Sequence, residues 1–258
     1  MDFSSEQSER GVTERRFDLA VGEAVVPGLI WTPEGATGAR PLVLLGHGGT
    51  QHKRIDNVLA LARRLVRHHG YAAVAIDAPD HGDRVTPEEA ERARRSLRPN
   101  PTGPLRGLSP ERLRRMNERT AQAALEWKAV LDAVEVLPGI ERGPVGYWGV
   151  SMGTIFGVPF VASEPRVKCA VFGLAGLRPN AEAFAKAANS ITIPLLFMFQ
   201  LNDELMTPES GLALFTAFGS KTKSMHINPG PHVGIPGFER DFYETFYVRH
   251  LGRAAPAS

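Results

Sequence analysis

Cysteine is nearly absent: Cys169 stands alone in a chain of 258 residues. No intrachain disulfide can form, so a packed core has to hold the fold, and a reducing compartment is compatible with that. Long apolar runs are also missing. No stretch approaches the roughly 18 to 20 apolar residues that a membrane span requires. The opening MDFSSEQSERGVTERRF is polar and charged, unlike the apolar core of a secretory signal. Excess charge is scarce as well, since 30 Lys and Arg against 28 Asp and Glu leave a net charge of +2. That is too little to argue for nucleic acid as a partner. The histidines show no HxxxH spacing and there is no CxxC, so no metal-ligand cluster and no cofactor is expected. These absences point to a cytoplasmic protein with no membrane or nucleic-acid partner.

What is present is ordinary globular usage, 43% hydrophobic and 22% charged, at a length that suits one α/β domain over 1–258. Residues 1–12 read as a disordered tail. Short extended segments at 14–21 and 29–32 follow, with Pro27 and Gly28 as a break between them. A regular alternation then sets in. Apolar strand-like runs fall at 41–45, 71–76, 145–148, 167–172, 194–199 and 224–227. Helical spacing falls at 55–69, 120–137, 153–162, 181–188, 209–218 and 237–250. Alternating strands and helices predict a mostly parallel sheet covered on both faces, with ligands at the carboxyl ends of the strands. Residues 84–119, rich in Arg and Pro, break the rhythm. Helix-like pieces at 87–97 and 110–119 flank the loop RPNPTGPLRGLSP, which reads either as a helical insertion serving as a lid or as a solvated excursion.

Gly149-Val150-Ser151-Met152-Gly153 lies between an apolar strand and an apolar helix. A serine there occupies a very tight turn, where glycines two positions either side avoid a Cβ clash. The turn lifts the hydroxyl out of the sheet and aims the Met152 N–H at whatever the serine attacks. Serine needs a base, and His232 in Asn228-Pro229-Gly230-Pro231-His232 sits on a loop after the last predicted strand. The base needs an acid to fix its tautomer. Asp203 is the first choice and its neighbour Glu204 the second, with helix capping as the competing role for Asp203. Gly46-His47-Gly48-Gly49-Thr50 follows an earlier strand and offers the Gly49 N–H as a second oxyanion donor. His47 and Arg84 are read as substrate-facing, and arginines of 84–119 directed at the pocket would favour an acidic substrate.

Taken together, GHGG at 46–49, GVSMG at 149–153, Asp203 and His232 in that order make the chain resemble the α/β-hydrolase superfamily over roughly residues 14 to 250. Asp77-Ala78-Pro79-Asp80-His81-Gly82-Asp83-Arg84 is similar to the D-x-P-G-H-G-x-R segment of dienelactone-hydrolase-like and small prolyl-oligopeptidase-like esterases. Asp80 replaces the usual glycine there. The nucleophile position carries Ser151 rather than the cysteine of dienelactone hydrolases proper, and Thr50 stands where the hormone-sensitive-lipase pattern has a third glycine. The resemblance implies an α/β-hydrolase fold and hydrolysis of a small ester-like substrate through an acyl-enzyme, without cofactor or metal. Amide, thioester, lactone or carbon–carbon cleavage by the same triad, acyl transfer, and a non-catalytic binding role are the alternatives. Monomer and homodimer both fit the sequence.

Overall fold

The structure, a computed structural model, describes residues 1–35, 37–96, 105–140 and 143–254. Nine strands form one sheet: β1 (Phe3–Glu9), β2 (Val12–Val21), β3 (Ala24–Pro33), β4 (Leu42–Gly46), β5 (Ala72–Ile76), β6 (Val145–Val150), β7 (Val167–Gly173), β8 (Leu195–Gln200) and β9 (Lys223–Asn228). Their spatial order is β1-β2-β3-β5-β4-β6-β7-β8-β9. The edge from β1 to β5 pairs antiparallel, and from β5 onward every neighbour is parallel. The helices are α1 (Asp56–His69), α2 (Pro87–Ser96), α3 (Pro110–Val134), α4 (Met152–Ser163), α5 (Glu182–Ser190), α6 (Pro208–Ala217) and α7 (Glu239–Leu251).

Period-two alternation along the buried strands divides the core into two layers. Leu42, Leu44, Val74 and Tyr147 face Trp127 of α3 and Val158 and Phe160 of α4. Val43, Leu45, Ala73 and Trp148 face Leu61 and Leu65 of α1 and Tyr243 and Tyr247 of α7. Each such large side chain contributes about 1.5–3 kcal/mol by leaving water. α1 stops at Gly70, whose φ of +67° lets its N–H reach the Val66 carbonyl (3.0 Å), while the Tyr71 N–H reaches that of Leu65 (3.3 Å).

The chain leaves β4 to one side for β5, then crosses back to β6 on the other. The reversal opens a crevice at the carboxyl ends of β4 and β6. None of the helices among the described residues is long and apolar enough to cross a membrane.

Three expectations need correction. Residues 1–12 are not a loose tail: β1 pairs in antiparallel register with β2, from Phe3↔Phe17 to Glu9↔Val12. Its side chains are mostly exposed, so no apolar period marks it in the sequence. Pro27 and Gly28 do not separate two strands but lie within β3, and the turn is at Gly22, with φ +59°. Gly28 is required because a Cβ would meet the Phe17 ring at 2.0 Å, a close approach rather than a break. Finally, 110–119 is the first part of the single 25-residue helix α3, opened by the Ser109 cap and Pro110. α2 buries no residue, and the predicted connecting loop falls partly on 97–104, outside the described residues.

Candidate active site

Ser151 follows β6 directly and precedes the first residue of α4. Its backbone is at φ +55°, ψ −118°, a strained conformation for a residue with a Cβ. The surroundings enforce it. The Ser151 N–H donates to the Gly173 carbonyl at 2.8 Å, and the Tyr147 hydroxyl donates to the Gly153 carbonyl at 2.8 Å. The buried Thr154 hydroxyl lies 2.8 Å from the Gly149 carbonyl and 2.6 Å from that of Gly173, and accepts the Gly173 N–H at 2.9 Å. The flanking glycines answer to backbone proximity. A Cβ on Gly149 would meet the Gly153 carbonyl oxygen at 2.5 Å, and one on Gly153 would meet that of Gly46 at 2.2 Å.

The structure brings Ser151, His232 and Asp203 together. His232 lies on the loop after β9, and its Nε2 is 2.9 Å from Ser151 Oγ. Its Nδ1 is 2.7 Å from Asp203 Oδ2, on the loop after β8. The Asp203 side chain is wholly buried, and its other oxygen accepts the N–H groups of Leu205 (2.8 Å) and Met206 (2.9 Å). One carboxylate thus organises its own loop and the imidazole. Glu204, the second choice for the acid, faces elsewhere and accepts the His232 backbone N–H at 2.9 Å. Gln200 and Asn202 fasten the same loop, at the Gly234 carbonyl (2.7 Å) and the Gly230 N–H (3.2 Å).

The loop after β4 passes beside the serine. The Gly48 N–H is occupied by the Gln51 side chain at 3.0 Å, which removes it as an oxyanion donor. No acceptor among the described residues meets the N–H of Gly49 or of Met152, the first residue of α4. His47 is buried behind this loop and lines no part of the cavity at Ser151, so its reading as a substrate-facing residue is corrected. The Ala78 N–H donates to its Nε2 at 3.1 Å, which leaves the proton on Nδ1, donated to the Gly48 carbonyl at 2.8 Å. Burial holds the imidazole neutral and lowers its pKa to about 4. Because the Gly48–Gly49 peptide is trans, fixing its carbonyl on His47 turns the Gly49 N–H to the opposite side.

Arg84 is also corrected. Its guanidinium makes a two-pronged pair with Glu126 of α3, at 2.7 and 2.8 Å, and donates to the Asp77 carbonyl. No described residue of 84–119 lines the cavity, so the lid reading has no support there. The segment 77–84 is instead a built wall. Buried Asp77 accepts the Lys53 ammonium at 2.6 Å and the Asp83 N–H at 2.9 Å, and the same ammonium holds the Asp83 carboxyl below its usual pKa. Asp80, where the resembling segment has glycine, adopts the left-handed backbone at φ +61° and pairs with Arg119 at 2.5 Å.

A cavity of about 540 Å³ opens above Ser151. Leu174, Leu205, Val233 and Ile235 give it apolar walls, and Asp56 and Glu204 are the charged side chains at its margin besides the triad. The residues that the sequence reading misses are Thr154, whose only cue is its place after the GVSMG turn, and Leu174, which lines the cavity from φ +54° and carries no cue. The spacing of histidines predicted no ligand cluster, yet among the described residues His68 and His69, in the last turn of α1, converge with Glu244, midway along α7.

Comparison with known proteins bears on the whole chain. No protein-family model and no curated protein sequence matches it. Among solved structures it is similar to a cold-adapted esterase from an Arctic intertidal metagenomic library, with 35% identity and a TM-score of 0.81, covering 97% of this chain and 100% of that one. It is similar in fold to an acetyl xylan esterase from Paenibacillus sp. R4 (16% identity, TM-score 0.71, 97% of this chain and 88% of that one). It is likewise similar in fold to a dienelactone hydrolase from Anabaena variabilis (21% identity, TM-score 0.63, 94% and 100%).

Proposed function

Because the chain belongs to the α/β-hydrolase superfamily, among its serine esterases, we propose that it hydrolyses carboxylic esters through an acyl-enzyme on Ser151. The observation that carries this reading is the unbroken chain from Ser151 Oγ to His232 Nε2 (2.9 Å) and from His232 Nδ1 to Asp203 Oδ2 (2.7 Å). In the first step His232 takes the Ser151 proton as Oγ attacks the ester carbonyl. Asp203 keeps the neutral imidazole in the Nδ1–H tautomer and then stabilises the imidazolium. The N–H groups of Gly49 and Met152, which no acceptor among the described residues meets, receive the oxyanion. Donors of this kind are each worth about 10²–10³ in turnover. His232 then gives its proton to the leaving alcohol. Water, activated by the same imidazole, releases the acid and restores Ser151.

The apolar cavity walls and the carboxylates Asp56 and Glu204 at its margin favour neutral esters over carboxylated ones. That reverses the acidic-substrate expectation attached to Arg84, which is consumed by Glu126. The test is a panel of p-nitrophenyl esters of rising acyl length, run beside an anilide, a lactone and a carboxylated ester. Turnover of the neutral short esters well above the anilide and the carboxylated ester is expected. Preference for the anilide, or no ester turnover, would overturn the reading.

A further inference from the structure

His68 and His69 occupy the last turn of α1, and Glu244 faces them from α7, with no part in the Ser151 site. Two imidazole nitrogens meet one carboxylate oxygen: His68 Nδ1 and His69 Nε2 each lie 2.8 Å from Glu244 Oε2. The three donor atoms all fall within 4.8 Å of one another. We propose that His68, His69 and Glu244 form a divalent-cation site of the zinc type, which clamps α1 to α7.

Geometry, access and charge support this. Tetrahedral zinc with N and O ligands at about 2.0–2.2 Å holds its donors about 3.3 Å apart. Seating the ion therefore opens each Oε2···N distance from 2.8 Å and brings the two imidazole nitrogens, which lie within 4.8 Å of each other, to the same spacing by side-chain rotation. Three protein ligands leave a fourth place for water. Each imidazole coordinates in its neutral form, with its proton on the other ring nitrogen, so no buried charge need be created on the histidines. Glu244 is 7% exposed at its side chain whereas His68 is 47% exposed, which gives a buried anchor and an open approach. The second Glu244 oxygen is held by Arg64, which also pairs with Asp241. Glu244, Asp241 and Arg64 sum to a single negative charge before a cation arrives. The negative end of the α1 dipole adds to it, because the donors lie in that helix's final turn. Zinc, nickel and copper ions suit two imidazoles and one carboxylate, whereas calcium and magnesium prefer all-oxygen sites.

The site is testable without reference to esterase activity. Chelator-treated protein would be titrated calorimetrically with zinc chloride at neutral pH, alongside His68→Gln, His69→Gln and the double variant. A matching melting series would be run with zinc and with magnesium. The expected result is one zinc per chain, a zinc-dependent rise in Tm that magnesium does not reproduce, and affinity reduced at least about tenfold in each single variant. His250→Gln, in the last turn of α7, should bind as the wild type does. No saturable binding, or binding undiminished in a folded double variant, would overturn the proposal. If the double variant fails to fold, absorption bands of bound cobalt in the wild type decide. Bands of four-coordinate cobalt support the site, and a spectrum of fully hydrated cobalt overturns it.

Discussion

Asp203 Oδ2 lies 2.7 Å from His232 Nδ1 while Asp203 Oδ1 accepts two backbone N–H groups, from Leu205 and Met206. The two oxygens therefore have separate duties, and that separation makes a clean experiment. In Asp203→Asn the amide oxygen can keep both backbone bonds, which turns the NH₂ toward Nδ1 and forces the imidazole proton onto Nε2. The expected outcome is a fall in kcat of about 10⁴ with little change in Tm. A loss of less than tenfold would remove Asp203 from the mechanism.

The glycine at 153 should be irreplaceable for a packing reason. Its Cβ would sit 2.2 Å from the Gly46 carbonyl oxygen, and that atom belongs to a strand paired on both sides. Gly153→Ala is expected to cost at least about 1–3 kcal/mol in denaturant unfolding and to lower activity as the serine turn and the Gly49 loop are pushed apart. Unchanged stability would mean that the two segments are not held in contact.

Arg84 and Glu126 form a pair with little exposure on either side, 12% and 1% at their side chains. Arg84→Ala leaves a buried carboxylate without its partner and is expected to destabilise by about 3–5 kcal/mol, whereas Arg84→Met with Glu126→Leu should recover much of that loss. kcat/KM for neutral and anionic esters should change in parallel. A selective loss on the anionic ester would return Arg84 to the substrate site.

His47 gives a pH dependence to stability. Folded, its pKa is lowered to about 4 by burial, with His81 and His52 adding repulsion and Asp77 opposing, against an ordinary 6.5. Between those values the unfolded chain binds a proton that the folded one refuses. The stabilisation is therefore full above pH 6.5 and is lost as pH falls toward 4. Tm measured from pH 7 to pH 4.5 should fall more steeply in the wild type than in His47→Gln. Parallel curves would mean that the imidazole titrates freely in the folded protein.

Much of this architecture was legible because burial writes itself into the strands. Leu42–Gly46 and Ala72–Ile76 are buried on both faces and read as apolar runs, and the GVSMG turn is dictated by clashes that glycine alone avoids. β1 was illegible for the converse reason, since an edge strand exposed on both faces leaves no apolar period. Arg84 and His47 read as substrate-facing because type and position show that a side chain can bind, while the partner that occupies it comes from a distant segment. Glu126 lies 42 residues from Arg84, and the Ala78 N–H lies 31 residues from His47. The same holds for His68, His69 and Glu244, which no spacing rule connects across 175 residues.

Covalent labelling tests most directly whether Ser151 is the nucleophile. The protein would be treated with a fluorophosphonate, followed in parallel by ester hydrolysis and by intact and peptide mass. One phosphonyl group per chain, located on Ser151 and gained in step with the loss of activity, with no labelling of Ser151→Ala, is the expected result. Full ester hydrolysis by Ser151→Ala, or inactivation with the label on another residue, would contradict it.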